Sequence, residues 1–139
     1  LARKSAFIAQ IAHESGQFNY VTEIASGSAY EGRKDLGNTI VGDGVKFKGR
    51  GLIQITGRAN YGLCSTALTG SSHTFIDNPE LLATPLYACL SAGWYWNSRG
   101  LNTLADMGDF MGITKRINGG TNGLASRLEF WERAKKSIK

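Results

Sequence analysis

The sequence predicts a mainly α-helical domain with at most a small β element. Two observations carry this. Apolar residues recur at helical spacing through 1–15, 85–98 and 124–138, whereas strand-like alternation is confined to short runs at 18–21 and 52–56. The chain also holds 18 glycines against 2 prolines, which implies many turns between helices.

The first helix organises the rest. Phe7, Ile11 and Glu14 fall at i, i+4 and i+7 and so share one face. Glu14 ends that apolar stripe, where a carboxyl group is half desolvated and its protonated form is favoured, the setting a general acid needs. Gly16 supplies a stop. Phe18 and Tyr20 alternate with Asn19 and Val21, so the chain beyond is expected to run extended. On an unbroken helix Glu14 and Glu23 would lie on opposite faces, but a break at Gly16 lets Glu23 turn toward Glu14 across a gap. Two carboxylates so arranged are the minimum for cleaving a glycosidic bond. The residues alone leave the plainer alternative open: Glu14 a solvated carboxylate at a core helix end, and Glu23 a surface charge.

The next stretches refine the picture. His13-Glu14 lacks the second histidine of a zinc-protease helix, because Gln17 stands in that place, and only His73 remains elsewhere, so no metal site is expected. Residues 24–48 are rich in Gly, Ser, Asn and Asp and read as a long loop, of the kind that is usually functional. Within it Glu31 is a second candidate partner for Glu14, or a surface charge paired with Arg33 or a lysine. In 47–62, Gly49 and Gly51 flank Arg50, which implies close backbone approach or positive φ. Ile53 and Ile55 alternate with Gln54 and Thr56, so a short extended segment presents two polar side chains on one face. A phosphate-loop spacing is absent.

A helix follows from Asn60 to about Thr69. Asp77-Asn78-Pro79-Glu80 starts another and Thr84-Pro85 restarts it. Leu86, Cys89, Leu90, Gly93, Trp94 and Trp96 then read as the central core helix, with Cys89 a small core hydrophobe. Trp94, Tyr95 and Trp96 could stack on sugar rings, although packing is the commoner use. Leu101–Gly108 and Asp109–Ile117 read as two short helices, and Asn118-Gly119-Gly120 is a sharp stop. Leu124, Leu128, Trp131 and Ile138 define the last amphipathic helix, and Arg127 beside Leu128 faces either the centre or solvent.

The bulk numbers bound the rest. A chain of 139 residues, 42% hydrophobic, is expected to form one domain spanning 1–139. No apolar run is long enough to span a bilayer, so no stable membrane insertion is expected. The chain opens at Leu1 already inside a helical pattern, so a preceding segment is expected and localisation stays unknown. The net charge of +5 suits an anionic partner. The 16 basic residues are scattered along the chain, which argues against a nucleic-acid binder. No cofactor is called for, a monomer is expected, and Cys64 and Cys89 leave their pairing open.

Three separated motifs together resemble family 19 of the glycoside hydrolases, the group of chitinases and phage endolysins. Ala12-His13-Glu14-Ser15-Gly16 with Glu23 is similar to the family's His-Glu-Thr/Ser-Gly segment and its second glutamate. Gly49-Arg50-Gly51-Leu52-Ile53-Gln54-Ile55-Thr56 with Asn60-Tyr61 is similar to its Gly-Arg-Gly-Pro-Ile-Gln-Leu-Ser/Thr run and its Asn-Tyr. Ile117-Asn118-Gly119-Gly120 with Arg127 is similar to its closing Asn-Gly-Gly and helix arginine. The resemblance implies a lysozyme-like α-helical domain with a substrate cleft. It implies Glu14 as general acid, Glu23 as base and Thr56 as a holder of the attacking water. Gln54, Asn60, Tyr61, Asn118 and Arg127 become substrate-site residues, with Arg127 pairing the catalytic carboxylates and keeping Glu23 ionised. It also implies inversion of configuration, with a gap of roughly 6.5–9.5 Å between the carboxyl groups.

The departures shape the expected substrate. Leu52 replaces the proline of the plant motif, Asn122 stands near the place of an expected acidic residue, and the plant cysteines are absent. Tyr30-Glu31-Gly32-Arg33, Asp35-Leu36-Gly37-Asn38 and Thr56-Gly57-Arg58 look like the phage and prophage lysozyme branch. The expected activity is therefore hydrolysis of β-1,4 bonds in peptidoglycan, by an enzyme made in the cytoplasm and acting on the bacterial cell wall. The alternatives are a chitinase with the same mechanism and an inactive wall-binding module.

Overall fold

The computed structural model describes residues 1–138, and these are mainly α-helical, as expected. In chain order the helices are α1 (Ala2–Glu14), α2 (Asp43–Lys46), α3 (Arg58–Thr69), α4 (Thr74–Asp77), α5 (Pro85–Ser98), α6 (Leu101–Asp106), α7 (Phe110–Asn118) and α8 (Leu124–Ser137). Short 3-10 turns lie at Ser28–Tyr30, Lys34–Leu36 and Pro79–Ala83. The chain divides into two compact units, one of Leu1–Asn19 with Tyr95–Lys139 and one of Tyr20–Trp94.

In the first unit α1 packs along α8 and also meets α6. The core holds Ala6, Ala9, Trp96, Leu101, Ala105, Phe110 and Ile113, with Phe7, Phe130 and Trp131 packed against it. Trp131 stacks on Phe110 with centroids 4.5 Å apart, and Phe7 meets the Trp96 edge at 5.2 Å. Trp96 is thus a packing residue, its indole N–H donating to Asn102 at 2.9 Å.

Gly16 ends α1 as expected. Its φ is +56°, the Gln17 amide donates to the Ala12 carbonyl at 2.7 Å and the Gly16 amide to His13 at 3.3 Å. This pair of bonds is the Schellman cap, which left-handed glycine permits. The extended run expected at 18–21 starts later. Gln17 and Phe18 continue the left-handed turn at φ +60° and +67°, with the Phe18 amide held by Ser15 Oγ at 2.8 Å. Asp109 caps α7 by accepting from the Gly112 amide at 2.9 Å, and left-handed Gly119 ends it. In α8 the expected face is turned: Leu128 is 38% exposed and Arg127 is buried at 1%.

The second unit is built on Phe47, Ile53, Ile55, Tyr61, Phe75 and Leu82, all buried. Its β content is two antiparallel bridges, Thr22 to Arg50 and Arg50 to Ile55. The straight segment expected at 53–56 is bent instead. Leu52 and Ile53 are both buried, at 8% and 6% exposure. The backbone turns through left-handed Gly51 (φ +89°) and Gln54 (φ +63°).

The core role expected for α5 is only partly met in this unit. Ala88, Ser91 and Ala92 face inward, while Leu86, Cys89 and Leu90 are exposed. The cause is close backbone approach. The Leu52 amide donates to the Ala88 carbonyl at 3.3 Å, and a Cβ on Gly51 would lie 2.7 Å from Ser91 Oγ. Only small residues fit there, so the leucines point out and Cys89 is not a core residue. Both cysteines are free, and burial pushes the Cys64 thiol up to about 12.

The region 24–48 is tied down by α2. Buried Asp43 takes Arg58 Nε and Nη2 at 2.8 and 2.9 Å and the Ile40 amide at 3.1 Å. Arg58 first, and the Ile40 amide after it, hold the Asp43 carboxyl below its ordinary 3.8 against the opposing effect of burial. A depressed carboxyl stabilises the fold fully above its unfolded value and loses that contribution as pH falls through the folded one. Asp43→Asn is therefore expected to cost about 2 kcal/mol at pH 7. The difference from wild type should vanish in acid below the ordinary carboxylate range, as measured by urea unfolding at both pH values.

Candidate active site

Glu14 sits in the last turn of α1, where a carboxylate meets the negative end of the helix dipole. Arg127 offsets this. Its Nη2 lies 2.6 Å from Glu14 Oε1, Nη1 donates to Gln10 Oε1 at 2.6 Å and Nε to the Asn122 carbonyl at 3.1 Å. The side chains are 2% exposed for Arg127 and 21% for Glu14, so a buried cation grips a carboxyl that still reaches solvent. Gln10 in turn donates to Thr114 Oγ1 at 2.9 Å.

This corrects one expectation: Glu14 is ion-paired, by the arginine that the resemblance sets against the carboxylates, rather than merely set in apolar surroundings. Within the first unit all three Arg127 nitrogens are engaged. The main-chain carbonyl of Asn122 supplies an acceptor near the place where an acidic side chain was expected. His13 packs beside the ion pair. Its Nδ1 lies 3.1 Å from Ser126 Oγ, its ring is crowded by Gly123, and burial, followed by Arg127, lowers its pKa against the pull of Glu14. Among the described residues no cluster of three metal-ligating side chains occurs. Asn118 is exposed at the end of α7, its Oδ1 accepting from the Asn122 amide at 3.3 Å.

In the second unit Glu23 is held from two sides. The Tyr30 hydroxyl donates to Oε2 at 2.8 Å and the Gly49 amide to Oε1 at 2.9 Å, while the Glu23 amide donates back to the Gly49 carbonyl at 2.8 Å. The close approach expected at Gly49 is real: a Cβ there would lie 2.7 Å from Gln54 Oε1 and 3.1 Å from Glu23 Oε1. Burial, and then its bond to Glu23, raise the Tyr30 pKa, so the phenol stays a donor at neutral pH. Sequence spacing gave no sign of Tyr30.

Gln54 is left-handed, and its Nε2 donates to the Gly51 carbonyl at 3.0 Å. Non-glycine residues hold that conformation at a cost of about 1 kcal/mol or more, which concentrates at functional sites. Thr56 Oγ1 donates to the Gln54 carbonyl at 3.1 Å, and Asn60 Nδ2 donates to the Thr56 carbonyl at 2.9 Å. Gln54, Thr56 and Asn60 are thus chained together and half-buried.

Tyr61 differs from expectation. It is fully buried, donating to the Lys48 carbonyl and accepting from Arg50 at 3.0 Å, so it supports this segment from beneath and has no surface for a sugar. Glu31 is also differently employed. Its two oxygens accept from the Gly42 and Gly44 amides, both at 2.8 Å, and those bonds lower its pKa. It clasps the loop, while Arg33 pairs with Asp35 at 2.6 Å. Glu31→Gln, which keeps one acceptor for those amides, is expected to leave turnover within about 3-fold of wild type; a loss as deep as that of Glu23→Gln would move the base role to Glu31.

The chain is similar to known proteins in sequence and in fold. The chain is 30% identical over 161 residues to a glycosyl hydrolase family 19 domain-containing protein of Haemophilus influenzae, covering 93% of the chain and 76% of that protein. It is 36% identical over 117 residues to an endochitinase of Arabidopsis thaliana, covering 84% of the chain but 38% of that protein's length. Its fold matches the crystal structure of chitinase C from Streptomyces griseus, with a TM-score of 0.79 at 23% identity over 97% of this chain and 58% of that one. No protein-family model matches the chain.

Proposed function

The chain belongs to glycoside hydrolase family 19, and from that premise we propose that it hydrolyses β-1,4 bonds of an amino-sugar polymer with Glu14 as general acid and Glu23 as general base. Glu14 donates its proton to the leaving glycosidic oxygen. Glu23 takes a proton from water as the water oxygen attacks the anomeric carbon from the opposite face, and the configuration inverts. Thr56 holds that water, while Gln54, Asn60 and Asn118 offer hydrogen bonds to the sugar.

The observation that carries this reading is the buried Arg127 gripping a partly exposed Glu14 through Oε1. The acid form of Glu14 would carry its proton on the oxygen that Arg127 does not take. As it leaves, negative charge develops on Glu14 beside a cation already in place, so the stabilisation grows toward the transition state. The two donors on Glu23 suit the acceptor role of a base.

Chitin is the first candidate substrate, because the relatives named by activity are endochitinases. Peptidoglycan is a second reading favoured by charge. The unit of Leu1–Asn19 with Tyr95–Lys139 carries ten Lys and Arg against five Asp and Glu, and the other unit six against six, so the whole excess lies in the unit bearing Glu14. An anionic wall would attract it.

The test is mass spectrometry of products from chitin oligomers and from purified peptidoglycan. Release of saccharides from one of them is expected, and release from neither would contradict the proposal. Glu23→Gln should lower turnover roughly 10²–10⁴-fold, and a mild effect would remove it as base. Tyr30→Phe keeps the ring but withdraws one donor from Glu23. About a 10-fold fall in kcat is expected with KM unchanged, measured by steady-state kinetics.

A further inference from the structure

We infer that Gln10 is a positioning residue for Glu14, acting through the guanidinium of Arg127; the inference rests on Glu14 being the acid. Gln10 stands one helical turn before Glu14 on α1 and has no exposed surface. A polar side chain buried so completely is costly unless every group is used. Here the hydrogen bonds run one way. Arg127 donates to Gln10 Oε1, Gln10 Nε2 donates to Thr114 Oγ1, and Thr114 Oγ1 donates to the Phe110 carbonyl at 3.2 Å.

That direction is forced. Arginine can only donate, and the Thr114 hydrogen is committed to the backbone. A flipped Gln10 amide would set two donors against each other at Arg127, so only one orientation is satisfied. The guanidinium is planar, with its donors in a fixed fork. Once Nη1 is set by Gln10 and Nε by the Asn122 carbonyl, Nη2 has one direction left, and Glu14 Oε1 lies there. Gln10 touches no substrate, yet it sets where the acid's carboxyl stands. An apolar residue would fill the same core space more cheaply, which is the argument against simple packing.

The test uses three variants of the full chain. Gln10→Met removes both bonds at similar length. Thr114→Val keeps Gln10 but takes away its anchor. Gln10→Glu keeps the acceptor for Arg127 and adds a second carboxylate competing for it. Folded fraction is fixed by circular dichroism, and kcat, KM and the pH–rate profile are then measured. Gln10→Met is expected to lower kcat about 10–100-fold with KM within 2-fold, because a misplacement near 1 Å costs that much. Thr114→Val should show a smaller loss of the same kind. In Gln10→Glu the weakened hold on Glu14 should move the alkaline limb of the profile to higher pH. His13, the other titratable group beside Arg127, has its pKa lowered and is common to wild type and variant, so the readout is the displacement of the limb between the two.

A merely structural Gln10 would lower the melting temperature and leave kcat per folded molecule and the profile unchanged, which would overturn the inference. Where Gln10→Met fails to fold, Thr114→Val and Gln10→Glu decide by the same readouts. Glu14→Gln separates the two layers. Full activity there would remove the acid assignment itself. Inactivity there, with full rates in the Gln10 and Thr114 variants, would remove only the positioning role.

Discussion

Glu14→Gln is expected to lower turnover roughly 10²–10⁴-fold, the contribution of a positioned general acid. The amide retains an oxygen for Arg127 Nη2 and the size of the side chain, so binding of the polymer should change little and the loss should fall on kcat. The variant is not expected to be neutral for stability, as an acid in a purely apolar setting would have been. It leaves a buried guanidinium beside a neutral acceptor where a carboxylate stood at 2.6 Å. A charge-assisted hydrogen bond becomes an ordinary one, at a cost of about 1–2 kcal/mol. Steady-state kinetics paired with urea unfolding would show both effects. A large loss of rate with no loss of stability would mean that the ion pair is not what holds Glu14.

Arg127→Met should have the largest combined effect. The substitution removes the cation and leaves Gln10 Oε1, the Asn122 carbonyl and Glu14 without their donor. Breaking a buried pair by removing one partner costs about 3–5 kcal/mol. For a chain of this size that corresponds to a fall of roughly 10–20 °C in Tm. Activity at a temperature where the variant is folded should still drop at least about 100-fold, because the acid loses its orientation. Arg127→Lys should recover little of either, since one ammonium cannot replace a planar fork with three engaged nitrogens. Calorimetry and kinetics on both variants would check this; recovery by lysine would show that charge alone matters.

What was legible in the sequence is what local chemistry decides. The helical spacing of Phe7, Ile11 and Glu14 and the stop at Gly16 required only periodicity and a residue tolerant of positive φ. The short helix read at Asp109–Ile117 is there as α7, with Asp109 its cap rather than its first residue. The motif around Gly49 and Gly51 announced close packing, and the packing is there.

What escaped is what distant partners decide. Arg127 lies 117 positions from Gln10, and a charged residue beside Leu128 gave no local sign of which of the two is buried. On α5 the outward turn of Leu86 and Leu90 follows from the nearness of Gly51 to Ser91, which lies outside the helix's own pattern. The clasp made by Glu31 is invisible in sequence because its partners are the backbone amides of Gly42 and Gly44, which carry no side-chain signature. The motif alone puts Tyr61 at the sugar, whereas long-range packing buries it beneath the segment.

The central claim is that Glu14 and Glu23 act as acid and base in a single displacement by water. The most direct measurement is a proton NMR time course of the anomeric signals during hydrolysis of a soluble β-1,4-linked substrate oligomer. The α-anomer of the new reducing end should accumulate first and then mutarotate. First appearance of the β-anomer would mean retention of configuration and would contradict the assignment of Glu23 as the base that activates water.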